Sequence, residues 1–151
     1  MGRLTIDDQD REILRQLGSN GRESYEAIGE DVGLSAEDVE ARVERMQEEG
    51  VITKFTVLTD PMALGYIPVA YGFTTKPGHT DETATELTKH RHVYKLWMVS
   101  GRHNIVAHAC FRDIAEFQEF THETINNIDG ITAYESSIAT RSVIDEGSII
   151  V

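Results

Sequence analysis

The sequence predicts an α+β chain in which three short helices are followed by a connecting strand and a βαββαβ module. Three observations carry this. Apolar residues recur at helical spacing as far as Gly50, they alternate beyond it, and Asp60-Pro61 interrupts the chain between the two patterns.

The first helix takes Asp7 or Asp8 as its cap, repeats Ile13, Leu14 and Leu17 on one stripe, and ends near Gly18. After the loop Ser19–Glu23, Ser24 caps a second helix through Tyr25, Ala27, Ile28 and Val32, which Gly33 stops. Ser35 opens the third, with Asp38 completing a pair like a capping box and Val39, Val43 and Met46 turned inward. Helix, short glycine turn and helix make a helix-turn-helix. From Val51 to Val57 alternation favours an extended strand, and Asp60-Pro61 is the hinge.

The second region opens with a strand from about Ile67 to Thr75, with Ile67, Val69, Tyr71 and Phe73 on one face. A turn at Pro77–Thr80 leads to a helix from about Asp81 to His90. A second strand, Val93 to Ser100, is apolar on both faces: Val93, Trp97 and Val99 on one, Leu96 and Met98 on the other. Gly101–Asn104 turns into a third strand, Ile105 to Phe111. Asp113 then caps a helix with Ile114, Phe117, Thr121, Ile125 and Ile128 near one stripe, and the last strand runs from Ile131 to about Ala139. This order closes as a four-stranded antiparallel ferredoxin-like sheet with both helices on one face. The domains expected are 1–52, a helix-turn-helix domain; 53–65, a connecting strand and hinge; and 66–151, the sheet domain. A strand apolar on both sides implies a cover for the second face, and another copy of the chain is the simplest one. That predicts a two-fold dimer burying roughly 1,600 Å² or more.

Composition narrows the function. One cysteine, Cys110, excludes an intrachain disulfide and a cysteine metal cage, and alternation places it as a small core residue. The N-terminus lacks the apolar core of a signal peptide and no apolar run is long enough to span a membrane, so a soluble cytoplasmic protein with no membrane partner is expected. The net charge is −12, and the stretch through Asp60 is the more acidic part. Nucleic-acid binding usually shows a basic footprint. Here the third helix carries Glu37, Asp38, Glu40 and Glu44, with Glu48 and Glu49 at its end, against Arg42 and Arg45. Lysine is scarce, 4 against 10 arginines. Such a surface suits a halophilic cytoplasm at molar salt, such as a haloarchaeon's, although an acidic protein of an ordinary cell has the same composition.

The runs IDDQDREILRQLGSNGRESYEAIGEDVGLS, VEARVERMQEEGVITKFTVLTDPMALG, VSGRHNIVAHACFRD and INNIDGITAYES, in this order, resemble the Lrp/AsnC or feast/famine family. The resemblance covers nearly the whole chain. It implies a DNA-binding transcription regulator whose C-terminal RAM or AsnC-type domain dimerises, usually assembles further into tetramers or octamers, and senses a small molecule, commonly an amino acid. It implies no catalytic residue, metal or cofactor. Two departures stand out: the third helix offers Ala36, Glu37 and Asp38 where the family usually has basic or hydroxyl residues, and the effector turn ends in Asn104 instead of Asp.

Placed on this frame, the candidates for double-stranded DNA are Arg22, Ser24, Tyr25, Ser35, Ala36, Glu37, Arg42, Arg45 and Lys54. Arg42 and Arg45, three residues apart, are expected on one exposed face. Carboxylates at the helix start can accept from cytosine amino groups but are repelled by phosphate. They also favour the helix dipole by about 0.3–1 kcal/mol each. The effector candidates are Ser100, Gly101, Arg102, His103 and Asn104, where Gly101 is expected to supply a positive φ and tight amides to hold a carboxylate. A plain hairpin turn reads the same residues without a ligand. The six histidines lack metal-ligand spacing, and packed or surface histidines are the expectation. Two other functions remain open: an enzyme resembling siroheme decarboxylases, conscripting Arg91, Arg102, His103 and His108, and a regulator of little DNA affinity that acts through hetero-oligomers.

Overall fold

Caps written into the sequence open the first three elements of the computed structural model, which describes residues 5–141. Asp7 accepts from the Asp10 N–H at 2.8 Å while the Asp10 carboxylate accepts from the Asp7 N–H at 3.1 Å, a reciprocal box that starts α1, Asp8–Ser19. Ser24 caps α2, Tyr25–Val32, by accepting from the Ala27 N–H. Gly33 at φ 73° ends it, a left-handed conformation that costs glycine nothing. Ser35 then caps α3, Ala36–Glu48, through the Asp38 N–H. The helical stripes meet in a core of Ile13, Ile28, Val39, Val43 and Met46, each fully buried and each contributing roughly 1.5–3 kcal/mol.

The alternating segment after Gly50 is not a strand. Ile52 alone packs on the helical core, while Phe55 and Val57 stand 48% and 78% exposed. Its alternation is real, but backbone groups pair into a strand only against another edge, and none within the described chain meets it. The first compact unit ends at Leu58 and the second begins at Thr59.

In the second unit β1 is Ile67–Thr75, α4 Thr80–Thr88, β2 Val93–Met98, β3 Ile105–Phe111 and β4 Ile131–Ile138. The sheet order is β2-β3-β1-β4 and every pairing is antiparallel. Strand alternation sends Val69, Tyr71, Phe73, Ile105, Ala107, Ala109 and Phe111 to one face, where Leu87 of α4, Phe120 and Ile125 cover them. Among the described residues of this unit, no helix covers the opposite face. There Val106, His108 and Cys110 alternate out of β3 beside Tyr94 and Trp97, which are 55% and 39% exposed.

Three expectations are corrected in this unit. A bulge between Val93 and Lys95 turns Val93 to the same face as Leu96, so the strict alternation that grouped it with Trp97 fails. The fifth helix is regular only over α5, Ile114–Glu119; a π turn, Phe120–Thr124, and a 3-10 turn, Ile125–Asn127, continue it. Phe117, Thr121, Ile125 and Ile128 face the core as expected and the wide turn adds Phe120 to them, while Ile114, ahead of it in α5, stands 47% exposed. Cys110 belongs to the uncovered face and not to the core; burial there pushes its thiol pKa up, against a hydrogen bond from Tyr94.

Candidate nucleic-acid interface and effector turn

The reading helix is held from behind by charge. Asp10, fully buried, accepts from Arg42 Nη1 at 2.8 Å and from Arg45 Nη2 at 2.6 Å. Arg42 also donates to Asp7 Oδ2 at 2.8 Å and to Gln9 Oε1 at 2.9 Å. Its guanidinium holds the Asp7 carboxyl below the usual carboxylate range. Both arginines therefore tie α3 to the start of α1. The expectation that they share a free exposed face is corrected: the side chain of Arg42 is only 23% exposed, and Arg45, 42% exposed, is engaged through Nη2, its Nε buried without a partner among the described residues. The reason is Asp10, a charge on the buried stripe that has to be met by opposite charge.

What α3 does present is acidic: Glu37, Asp38, Glu40, Glu44 and Glu48 are exposed, with Glu49 beyond them. Ser35 is engaged as the cap, Ala36 is half-buried in the first turn, and Glu37 points to solvent beside them. Ser24 is likewise a cap, and Tyr25 packs on the helical core. Among the positively charged candidates, Arg22 and Lys54 are exposed and make no ion pair among the described residues.

At the other candidate site the β2–β3 connection is clamped by backbone and side chain together. The Val99 N–H donates to Asn104 O, and the Asn104 N–H donates to Phe73 O at 2.8 Å. Asn104 Oδ1 accepts from the Thr75 N–H at 2.9 Å, at the place where the β1–β4 register shifts. Asn104 is thus spent on holding the strand ends. Arg102 Nη2 lies 2.6 Å from Glu135 Oε1, and His103 Nε2 lies 3.3 Å from Glu135 Oε2. The His103 ring rests on Gly72, where a Cβ would stand 2.5 Å from the imidazole, and its Nδ1 is buried without a partner among the described residues. Gly101 does not have a positive φ, so the expected reason for a glycine there is corrected: the turn closes through Asn104, and Gly101 is exposed with open space around it. Ser100 is exposed beside it.

Glu135 and Gly72 went unnoticed in the sequence. They face each other in the β1–β4 register, and nothing local in either segment signals that pairing.

The four residues an enzyme would need do not converge. Arg91 pairs with Glu116 at the end of the sheet where β3 finishes, whereas Arg102 and His103 sit where β3 starts. Seven strand residues separate the two ends, roughly 20 Å at the usual rise. His108 lies between them against Tyr94 and Trp97, its pKa lowered by burial and then by Lys95.

Comparison with known proteins follows this division of the chain. Residues 6–47 match the AsnC-type helix-turn-helix domain, and residues 69–149 match the Lrp/AsnC ligand binding domain. An HTH-type transcriptional regulator of Pyrococcus horikoshii is 37% identical over 139 residues, covering 91% of this chain and 88% of that one. The structure of Escherichia coli AsnC superposes with a TM-score of 0.84 at 28% identity, over 94% of this chain and 97% of that one. A Neisseria meningitidis transcriptional regulator solved with L-methionine shares the fold, with a TM-score of 0.85 at 22% identity over 96% of each chain.

Proposed function

The chain belongs to the Lrp/AsnC family of transcription regulators, and from that premise we propose that it reads operator DNA as a dimer or larger ring, under the control of an amino acid lodged at the 100–104 turn. It is a helix-turn-helix regulator with a ligand-binding domain, not an enzyme, as the named relatives are. No helix among the described residues is long and apolar enough to cross a membrane.

One observation carries the DNA reading: Asp10 fixes α3 against α1 through Arg42 and Arg45, so the helix start with Ser35, Ala36 and Glu37 is held out as a rigid unit. Ser24 and Tyr25 position the preceding helix, and Arg22 and Lys54 are the phosphate contacts. Two such contacts per head, set against exposed carboxylates, give little affinity each. Binding then rests on several heads acting together and on salt that screens the carboxylates. A mobility shift of the protein's own promoter at about 0.1 M and 2 M potassium salt tests this. Changing Arg22 and Lys54 together to Gln should weaken binding and lower the salt slope by about 2. Retained binding with an unchanged slope would put the interface elsewhere.

The pairing of Arg42 and Arg45 with carboxylates favours a second reading. With both α3 arginines engaged, a head poor in free positive charge fits a regulator that acts by mixing with a paralogue; absence of a shift at either salt selects it.

For the effector, Glu135 set between Arg102 and His103 complements an amino acid: the carboxylate takes the ammonium, and Arg102 with His103 and the Ser100–Gly101 backbone takes the carboxylate. Thermal shifts against the twenty amino acids would find it. The uncovered face with Tyr94 and Trp97 supports the two-fold dimer, with assembly into tetramers or octamers beyond it. A lone, well-folded particle in sedimentation at high salt would overturn that. We propose the domain division 1–52, 53–65 and 66–151, of which residues 1–4 and 142–151 lie outside the described residues.

A further inference from the structure

Away from the turn and the uncovered sheet face, the second unit encloses a groove of about 440 Å³ between α4 and the stretch from Glu123 to Gly130. Its walls are acidic. Glu82 and Glu86 line the α4 side, Glu123 and Asp129 the other. Two of the four carboxylates already hold an ammonium: Lys89 Nζ lies 2.5 Å from Glu86 Oε2, and Lys76 Nζ lies 2.7 Å from Asp129 Oδ1. Glu82 has His79 Nδ1 at 3.6 Å, and the Glu123 carboxylate has no ion pair among the described residues.

An acidic rim alone is a solvated surface. The floor adds an independent observation. Thr83 is 2% exposed, yet its Oγ1 has no hydrogen-bond partner among the described residues. The hydroxyl reaches from α4 toward Gly130, where a Cβ would stand only 2.0 Å from it, so only glycine leaves room for it on the groove floor. A buried hydroxyl without a partner is costly and calls for an explanation, and a ligand N–H would satisfy it.

The charge pattern identifies the class. No three His, Cys, Asp or Glu side chains among the described residues cluster closely enough to hold a metal ion. The carboxylates are instead strung along the groove, Glu82 and Glu86 one helical turn apart, about 6 Å. Such spacing suits a ligand whose positive charges are spread along a chain, with Ile128 and the His90 ring available to its methylenes. We propose that this groove binds a linear di- or polyamine, its ammonium groups on Glu82 and Glu123 and one N–H donated to Thr83 Oγ1.

Titration calorimetry of the full chain with spermidine, in about 0.3 M KCl near pH 8, tests the site with general charge attraction screened. One saturable site per chain is expected, with magnesium chloride at equal ionic strength failing to displace it. Glu82→Gln with Glu123→Gln should weaken binding about tenfold or more, since charge-assisted hydrogen bonds are the strong ones. Thr83→Val should weaken it several-fold while leaving Tm unchanged or raised, because it removes an unsatisfied hydroxyl at constant shape. Glu44→Gln with Glu48→Gln on α3 is the control and should change affinity less than about twofold. Heat that never saturates, equal losses in groove and control variants, or full affinity in Thr83→Val would each overturn the proposal. Should the double variant unfold, Thr83→Val decides alone.

Discussion

Replacing Asp10 by Ala removes the one carboxylate among the described residues that faces both α3 arginines. Three hydrogen bonds go with it: from Arg42 Nη1 at 2.8 Å, from Arg45 Nη2 at 2.6 Å and from the Asp7 N–H at 3.1 Å. Removing one partner of a buried ion pair costs about 3–5 kcal/mol. The arginines are 23% and 42% exposed and regain some water, so the lower end of that range applies to them. Half of the capping box is lost as well, about 1 kcal/mol. The total is near 4 kcal/mol. A helical unit of this length is stable by only about 3–8 kcal/mol, so the change is enough to bring it close to unfolding. Urea denaturation followed by the helical circular dichroism signal measures it, and the second unit should keep its own transition. Asp10→Asn retains one oxygen acceptor and should cost about half as much. Coupling between Asp10→Ala and Arg45→Ala, measured as a double-mutant cycle, should exceed about 1 kcal/mol. A loss below about 1 kcal/mol for Asp10→Ala would refute the reasoning, because it would mean that α3 does not lean on this carboxylate.

Two further outcomes follow from the second unit. Gly72→Ala sets a methyl group 2.5 Å from the His103 ring; the turn must move, at about 1–3 kcal/mol of stability and with loss of the amino-acid thermal shift, and an intact shift would separate the effector from His103. Glu116 accepts the Arg112 N–H and also faces the Arg112, Arg91 and His92 side chains. With the Arg112 bonds the largest cause, its carboxyl is lowered from 4.5 to about 2. A carboxyl depressed by folding stabilises the protein above its unfolded value and loses that contribution as pH falls. The stability gap between wild type and Glu116→Gln should thus be full at pH 6 and close between 4.5 and about 2 in a pH series of urea melts.

What was legible in the sequence was local. Ser24 and Ser35 name their own helix starts, the first is narrowed to Asp7 or Asp8, and β3 could be read from its alternation to the residue. The reading failed where a partner distant in sequence decides the outcome. Glu135 meets Arg102 and His103 only because β4 pairs with β1, and the bulge after Val93 is set by its neighbour β3. The strand expected near Phe55 lacks a partner edge within the described chain. Asp10 is a different failure, since its signal was present. It lies one turn before Ile13 and Leu14, on the apolar stripe, and a carboxylate there demands buried positive charge. Arg42 and Arg45 occupy the answering positions beside Val39, Val43 and Met46 on α3.

That pairing also bears on how so acidic a reading head stays folded. Its carboxylates divide into two populations. Asp10 is inside and paired, whereas Glu37, Glu40, Glu44 and Glu48 are outside on the helix that carries them. Salt acts on the second population and hardly on the first: the screening length falls from about 10 Å at 0.1 M to about 3 Å at 1 M, shorter than the spacing of neighbouring helical carboxylates. Unfolding free energy of the first unit should therefore rise with potassium chloride and level off near 1 M, as repulsion among exposed charges is extinguished. The Asp10→Ala penalty should stay constant across the same series. If the penalty shrank in parallel with the repulsion, Asp10 would be reached by solvent and ions, and the rigid presentation of the α3 start would lose its physical basis.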